Sequence, residues 1–346
     1  MTEITKQTGS SSSTPSALSR WFISKVMNHL NSERYQSQKR KKHERKRLKD
    51  VRGHFVEYFH QVDDGYSHLA IQTLSKLKTQ YDIELKVHLV PSLKNDDFPE
   101  LELWREMSRG DAANVAPYYD LDFHKVDALP DTKLAAIASA ILCQLSADEF
   151  ATVGVEVSNC LWNNSEEGLI SLAEKYGTAT DEDVSLALES GVSRRSTLKH
   201  YNTAMFYYEG EWYWGVDRLY HLENRLKSLG ACKNLKHALV APRPKVHERF
   251  NEDAKQLTLE FFVSLRSPYT AIAWEPTLKL AEDSGINLVV RPVLPMVMRG
   301  VPASRAKKIY IATDANREAQ TLNVEFGNFY EPIGEPVLRA YSLYMW

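Results

Sequence analysis

The chain has 346 residues and a net charge of −2, with 43% hydrophobic and 25% charged residues, the balance of a globular protein with room for about two domains. It contains no run of about 18 apolar residues, which excludes a membrane-spanning helix, and its three cysteines, Cys143, Cys160 and Cys232, lie far apart with no CxxC, which argues against a disulfide framework or a zinc site. The Ser- and Thr-rich start, Met1 to Ser19, lacks the apolar core of a signal peptide, so the expected location is cytoplasmic.

Residues 1 to about 19 read as disordered. Trp21, Phe22, Ile23, Val26, Met27 and Leu30 then recur at helical spacing. The basic run Lys39 to Lys49 holds eight basic residues and one acid, a local +7 that leaves −9 on the rest of the chain. Such a run is either a solvated helix or an attractor for phosphate or an anionic membrane surface. No aromatic residues interleave with it, as a stacking platform for nucleic acid would require.

Phe55 to His60 reads as a strand, Tyr66 to Tyr81 as a helix and Ile83 to Val90, which alternates with period two, as a second strand. Strand, helix, strand over so short a span predicts a right-handed crossover and a parallel pair. A helical region from about Glu100 to Tyr176 follows, with a further short helix from Asp181 to Glu189. Thr203–Tyr208 and Glu211–Trp214 flank Glu209-Gly210 as a hairpin, and Val216 to Leu229 closes the unit as a helix. The expected organisation is a tail, helix and basic run over 1–50, a first domain over 51–230, a polar linker over 231–256 and a second domain over 257–346.

Shifted by 203 residues, the chain matches itself without a gap. Phe55 to Val126 lies over Thr258 to Phe329, with Tyr66 on Tyr269, Leu85 on Leu288, Asp111 on Asp314 and Ala116 on Ala319. A period of this length makes the repeated unit a domain rather than a solenoid repeat. The first copy's pattern runs to about Leu226, whose counterpart falls beyond Trp346. The second copy is therefore expected to be incomplete and the chain truncated within the apolar stretch Pro336 to Trp346. Lacking a closing hairpin, residues 257–346 are expected either to pack against the first copy, with the helix at Trp21 to Leu30 as one route, or to be only marginally folded.

The order β-α-β, helical insertion, β-β-α, together with Phe261-Phe262-Val263-Ser264-Leu265-Arg266-Ser267-Pro268-Tyr269, Arg291-Pro292-Val293-Leu294 and Gly215-Val216-Asp217-Arg218, resembles the DsbA-like thioredoxin-fold proteins. Within them it looks like the branch of 2-hydroxychromene-2-carboxylate isomerases and kappa-class glutathione transferases. The resemblance implies an α/β chain of tandem thioredoxin-like folds with an inserted helical domain. It also implies glutathione as the cofactor and a small-molecule substrate. Ser267 would then be the catalytic residue, with Pro268, Tyr269, Asp217 and Arg218 holding glutathione.

Read from the residues alone, Ser267 is a good N-cap with Pro268 at the first helical position. A hydroxyl there can also stabilise a thiolate beside a helix N-terminus. Neither Asp64-Gly65-Tyr66-Ser67 nor Ser267-Pro268-Tyr269-Thr270 contains cysteine, which argues against a disulfide oxidoreductase. In the first copy Asp64 stands at the position of Ser267, and Ala204 stands where the family places a cis-proline. The alternatives are thus a glutathione-dependent isomerase or transferase and a non-catalytic tandem binding module. Tyr207, Tyr208, Trp212, Tyr213 and Trp214 read either as hairpin packing or as a stacking surface. His54, His60, His68 and His88 show no metal-ligand spacing.

Overall fold

Two helices open the chain, α1 (Ala17–Asn31) and α2 (Glu33–Lys49), and lead into strand β1 (His54–His60). The computed structural model describes residues 15–93, 98, 100–123, 127–245, 252–301, 303–327, 329 and 332–343. Most of the Ser- and Thr-rich start, Val126, and the stretch from Tyr344 to Trp346 lie outside the described residues. After β1 come α3 (Gly65–Ile71), α4 (Leu74–Gln80) and β2 (Ile83–Leu89). The helical insertion holds α5 (Leu101–Val115), α6 (Thr132–Gln144), α7 (Ala147–Phe150), α8 (Val153–Trp162), α9 (Glu166–Tyr176) and α10 (Asp181–Thr197). Strands β3 (Met205–Tyr208) and β4 (Glu211–Trp214) form the hairpin, and α11 (Leu219–Ser228) follows. The last part contains β5 (Thr258–Val263), α12 (Pro268–Ser284), β6 (Asn287–Pro292), α13 (Arg305–Leu322) and α14 (Glu335–Ser342).

The chain divides into two units, Arg40–Pro244 and one formed by the residues up to Lys39 together with those from Lys245 on. In the Arg40–Pro244 unit the sheet order is β2-β1-β3-β4. Strand β1 runs parallel to β2 and antiparallel to β3, and β3 to β4. That is the mixed α/β order read from the sequence. Central β1 is buried from Val56 to His60, and Val56, Tyr58, Leu69, Leu74, Leu77, Ile141, Phe150, Phe206 and Leu222 form the core around it. Each such side chain contributes about 1.5–3 kcal/mol by leaving water.

A strand covered on both faces must also satisfy its polar residues. Glu57 accepts from Arg194 Nε and Nη2 at 2.7 and 2.6 Å and faces His88 Nε2 at 2.9 Å. Burial works to raise the Glu57 pKa, but these bonds outweigh it and hold the carboxyl at about 2. Reaching Glu57 requires α10 to continue past Glu189 to Thr197, farther than the sequence indicated. It passes so close to β2 that a Cβ at Gly191 would lie 1.9 Å from the Leu89 carbonyl oxygen. Only glycine fits there.

The helix expected over Tyr66 to Tyr81 breaks between Ile71 and Leu74. Thr73 Oγ1 donates to the Ala70 carbonyl at 2.7 Å, and Gln72 Nε2 donates to the carbonyls of His68 and Asp122. Such side chain–backbone bonds compete with helix continuation. The first half of the expected linker is docked: the N–H groups of Val240 and Ala241 donate to buried Glu223 at 2.6 and 3.0 Å, and Tyr81 bridges to Cys232.

In the other unit β5 and β6 form a parallel pair. α1 lies against α13, where Asn316 Nδ2 donates to the Asn31 carbonyl at 2.9 Å. The helix at Trp21 to Leu30 thus belongs to the same unit as α13. The pairings of this unit follow those of β1 and β2 at a constant shift of 203: Phe55↔Glu84 and His60↔Leu89 become Thr258↔Asn287 and Val263↔Pro292. The bond closing each strand shifts likewise, Val90 N to His60 O and Val293 N to Val263 O. So does a cross-strand polar pair, Glu57 with His88 and Glu260 with Arg291.

Candidate functional site

In each unit the turn singled out in the sequence lies where the first strand passes into its helix. At the start of α12, Ser267 is the N-cap in extended conformation, Pro268 occupies the first turn, and Ser267 Oγ accepts the Thr270 N–H at 3.4 Å. Proline suits that position because the N–H it lacks has no helical partner there. Thr270 Oγ1 accepts from Ser264 N–H at 3.2 Å, and the Ser267 N–H closes the turn onto the Ser264 carbonyl at 2.8 Å. Ser267 is half-buried, and among the described residues no acceptor takes its hydroxyl proton. The hydroxyl therefore stands at a helix N-terminus with a donor to offer.

Tyr269 reaches α13 and donates to Asp314 Oδ2 at 2.9 Å. Asp314 is buried and also receives Arg317 Nη2 at 3.1 Å and Tyr310 OH at 3.4 Å. Tyr341 of α14 holds the turn from outside. Its OH accepts the Leu265 N–H at 3.1 Å and donates to the Val293 carbonyl at 2.6 Å, tying the turn to the end of β6.

The equivalent turn in the Arg40–Pro244 unit has the same frame with different chemistry. Asp64 caps α3 and is 6% exposed. Its Oδ2 receives the Ser67 N–H at 3.0 Å, the Ser67 hydroxyl at 2.8 Å and the Thr203 hydroxyl at 3.2 Å. Burial pushes the Asp64 carboxyl up to about 6 despite the Ser67 and Thr203 bonds. Gln61 N–H donates to Ser67 Oγ, as Ser264 does to Thr270, and Tyr66 donates to Asp111 Oδ2 at 2.7 Å, as Tyr269 does to Asp314. A Cβ on Gly65 would meet the Ala112 Cβ at 3.0 Å, so α5 closes over the turn. Ala204 is fully buried, joined by a trans peptide, and left-handed at φ 54°. This position is closed, and one oxygen of its carboxylate takes all three donors.

Asp217 and Arg218 lie at the turn into α11 and pair with each other, Nη1 to Oδ2 at 2.6 Å. Asp217 also lines a cavity of about 80 Å³ with Tyr66, Asp111, Val115 and Trp214. The structure thus groups the sequence-derived residues into two sets, Ser267, Pro268 and Tyr269 in one unit and Asp217 and Arg218 in the other.

The histidines serve packing and hydrogen bonding: His54 Nδ1 meets Tyr208 OH at 2.6 Å, and His68 Nδ1 meets Ser158 Oγ at 2.7 Å. Burial pushes His60 down to about 3. Among the described residues no group of three His, Cys, Asp or Glu side chains could hold a metal ion, and no helix is long and apolar enough to cross a membrane. The aromatic hairpin residues are partly core: Tyr208 and Tyr213 are fully buried, and Trp212 packs on Phe59 and Tyr207. Sequence reading missed Thr203 and Tyr341, which reach their turns over 139 and 76 residues.

No protein-family model matches the chain, and no curated protein matches it. Among solved structures, one described as the selenomethionine form of 2-hydroxychromene-2-carboxylate isomerase overlaps it with a TM-score of 0.38 and 18% identity, covering 51% of this chain and 96% of that one. A probable DsbA oxidoreductase from Streptomyces coelicolor overlaps with a TM-score of 0.34 and 12% identity, covering 54% of this chain and 94% of that one. Overlap this loose gives no residue-to-residue correspondence at either turn.

Proposed function

We propose that the chain is a DsbA-like thioredoxin-fold protein of the glutathione-dependent isomerase or transferase kind, acting through Ser267 rather than through a dithiol. The observation that carries this reading is the half-buried Ser267 hydroxyl at the N-terminus of α12, fixed by the Thr270 N–H, with its own proton uncommitted among the described residues. A hydrogen bond from such a donor to a thiolate is worth about 1.5–3 kcal/mol. The helix N-terminus adds about 0.3–1 kcal/mol. At about 1.36 kcal/mol per pKa unit, the two together lower a thiol by roughly 1.5–3 units, enough to make a thiol of ordinary pKa ~8.5 largely thiolate at neutral pH. Glutathione would supply that thiol, and Ser267 fits it by donating to the sulfur. Asp217 and Arg218, paired with each other, belong to the other unit and are assigned no part in holding it.

We read the two α/β parts as copies of one fold, a reading supported by the constant shift of 203 in strand register, closing bonds and the Tyr–Asp pair. In this reading the Asp64 copy has exchanged a thiol-facing hydroxyl for a buried acid and serves as scaffold. A cytoplasmic setting is supported by the three cysteines, Cys143, Cys160 and Cys232, which stand unbridged and far apart.

Retention of the full chain on immobilised glutathione tests the proposal. The Ser267→Ala variant should bind about 10–100-fold more weakly, the equivalent of one lost charge-assisted hydrogen bond. Retention indifferent to Ser267 would overturn the catalytic reading and leave a non-catalytic tandem binding module.

A further inference from the structure

From Arg40 on, α2 has two faces with opposite fates. One face is clamped to the β3–β4 hairpin and the start of β1. Arg40 donates Nε and Nη2 to Glu211 at 2.8 and 3.0 Å, and His43 lies 3.8 Å from the Glu209 carboxylate. His43 is packed so closely on the hairpin turn that a Cβ at Gly210 would meet its Nε2 at 2.4 Å. Arg47, itself buried, holds Glu44 at 2.6 Å and donates Nη1 to the Arg52 carbonyl at 2.7 Å. The helix is therefore fixed in rotation about its axis.

The other face carries Lys41, Lys42, Arg45, Lys46 and Lys49, all exposed and, among the described residues, without a carboxylate partner. At 3.6 residues per turn they occupy an arc of about 140° opposite the clamped side. At its C-terminal end two apolar residues join them, Leu48 at 60% exposure and Val51 at 91%. The helix stops in a left-handed cap, where Val51 has φ 50°, Val51 N–H bonds the Leu48 carbonyl and Arg52 N–H bonds the Arg47 carbonyl. Glycine or asparagine is the usual residue at such a cap. A β-branched side chain there is a steric outlier, and at 91% exposure it gains no packing within the fold.

We propose that this face of α2, with Leu48 and Val51 at its tip, docks on an anionic phospholipid bilayer. Five fixed cations meet the lipid phosphates and carboxylates, and the two apolar side chains leave water at the headgroup boundary. The remainder of the chain outside the basic run carries −9, so attraction to a negative surface concentrates on this helix. A nucleic-acid duplex would satisfy the cations, yet it would give Leu48 and Val51 nothing, and no aromatic side chain stands among them to stack on bases.

The test is co-sedimentation of the full chain with vesicles of phosphatidylcholine and phosphatidylserine at about three to one, against pure phosphatidylcholine. Binding is expected only with phosphatidylserine and should fall with salt, since charges in water are screened beyond about 8 Å at physiological ionic strength. Each cation near the leaflet contributes a factor of about five, so the triple variant K41Q/R45Q/K49Q should bind about a hundredfold more weakly. The double variant L48S/V51S keeps every charge and should still lose several-fold, while both variants keep the wild-type circular dichroism and melting temperature. Equal binding to both vesicle types, or unchanged binding by the triple variant, overturns the proposal. So does a chain that binds duplex DNA more tightly than the vesicles with no effect of L48S/V51S.

Discussion

Asp64 and Ser267 both cap the helix that follows a strand, and the frames around them share the same hydrogen bonds, so the difference between the turns comes down to one side chain and its surroundings. Ser267 is neutral and half-buried, and it keeps a donor to offer. Asp64 is buried, and burial pushes its carboxyl up to about 6, which makes it a cost to stability when ionised. The folded state holds that proton more tightly than the unfolded chain does. Stability is therefore lost as pH rises from the ordinary carboxylate range near 4 to about 6, and the loss is complete above it. Asparagine caps helices as well as aspartate, and its oxygen can accept the same Ser67 and Thr203 bonds without a charge. Asp64→Asn should therefore stabilise the protein by up to about 3 kcal/mol at pH 8 and by nothing below pH ~4. Denaturant melts at the two pH values check this, and a variant less stable than the wild type at pH 8 would show that the charged form is the one the fold favours.

Elements whose residues carry their own signal were legible in the sequence, and those made by distant partners were not. The alternation of Ile83 to Leu89, the Glu209-Gly210 hairpin and the Ser267-Pro268 helix start all lie where the local pattern put them. The break between α3 and α4 was missed because it depends on Gln72 and Thr73 bonding backbone carbonyls, one of them on Asp122. The extension of α10 depends on Arg194 meeting Glu57 across 137 residues. At the site, Ser267 was legible from capping chemistry, whereas Thr203 and Tyr341 have no local signature.

Helix α2 was legible as a helix, but its anchorage was not, since Arg40 finds Glu211 across 171 residues. Glu211 is 4% exposed, accepts Arg40 and Tyr213 OH, and lies 3.7 Å from buried Arg225. Removing its charge leaves Arg225 short of a counter-ion, and breaking a buried pair of this kind costs about 3–5 kcal/mol. Glu211→Gln retains the shape and some hydrogen bonding, so about 2–3 kcal/mol is expected. Amides near the C-terminal half of α2 should lose protection from hydrogen exchange in step with that loss. Unchanged α2 protection would mean that the ion pair is not what fixes the helix.

At the scale of the molecule the two units differ in how completely their sheets are covered. β1 has hydrogen-bonded neighbours on both sides, and five of its seven residues are buried. β5 has one such neighbour, alternates between exposed and half-buried positions and buries only Val263, while Phe262 stays 62% exposed. β6 has no fully buried residue. A pair of strands is marginal without a packed face, and here α12 packs on it while the Tyr341 hydroxyl of α14 ties the strand ends together. Each apolar side chain left in water forgoes about 1.5–3 kcal/mol, a large share of the roughly 5–15 kcal/mol by which a domain is stable. Local opening should therefore be easier in β5 and β6 than in β1 and β2, because regions with few buried apolar contacts open at lower free energy. Native-state hydrogen exchange should show β1 amides protected at least about a hundredfold more than β5 amides, a difference of about 3 kcal/mol. Tyr341→Phe, which removes both bonds holding the Leu265 turn to β6, should lower β5 protection further and leave β1 untouched. Equal protection of the two strands in the native protein would show that both units open only together, as one cooperative structure.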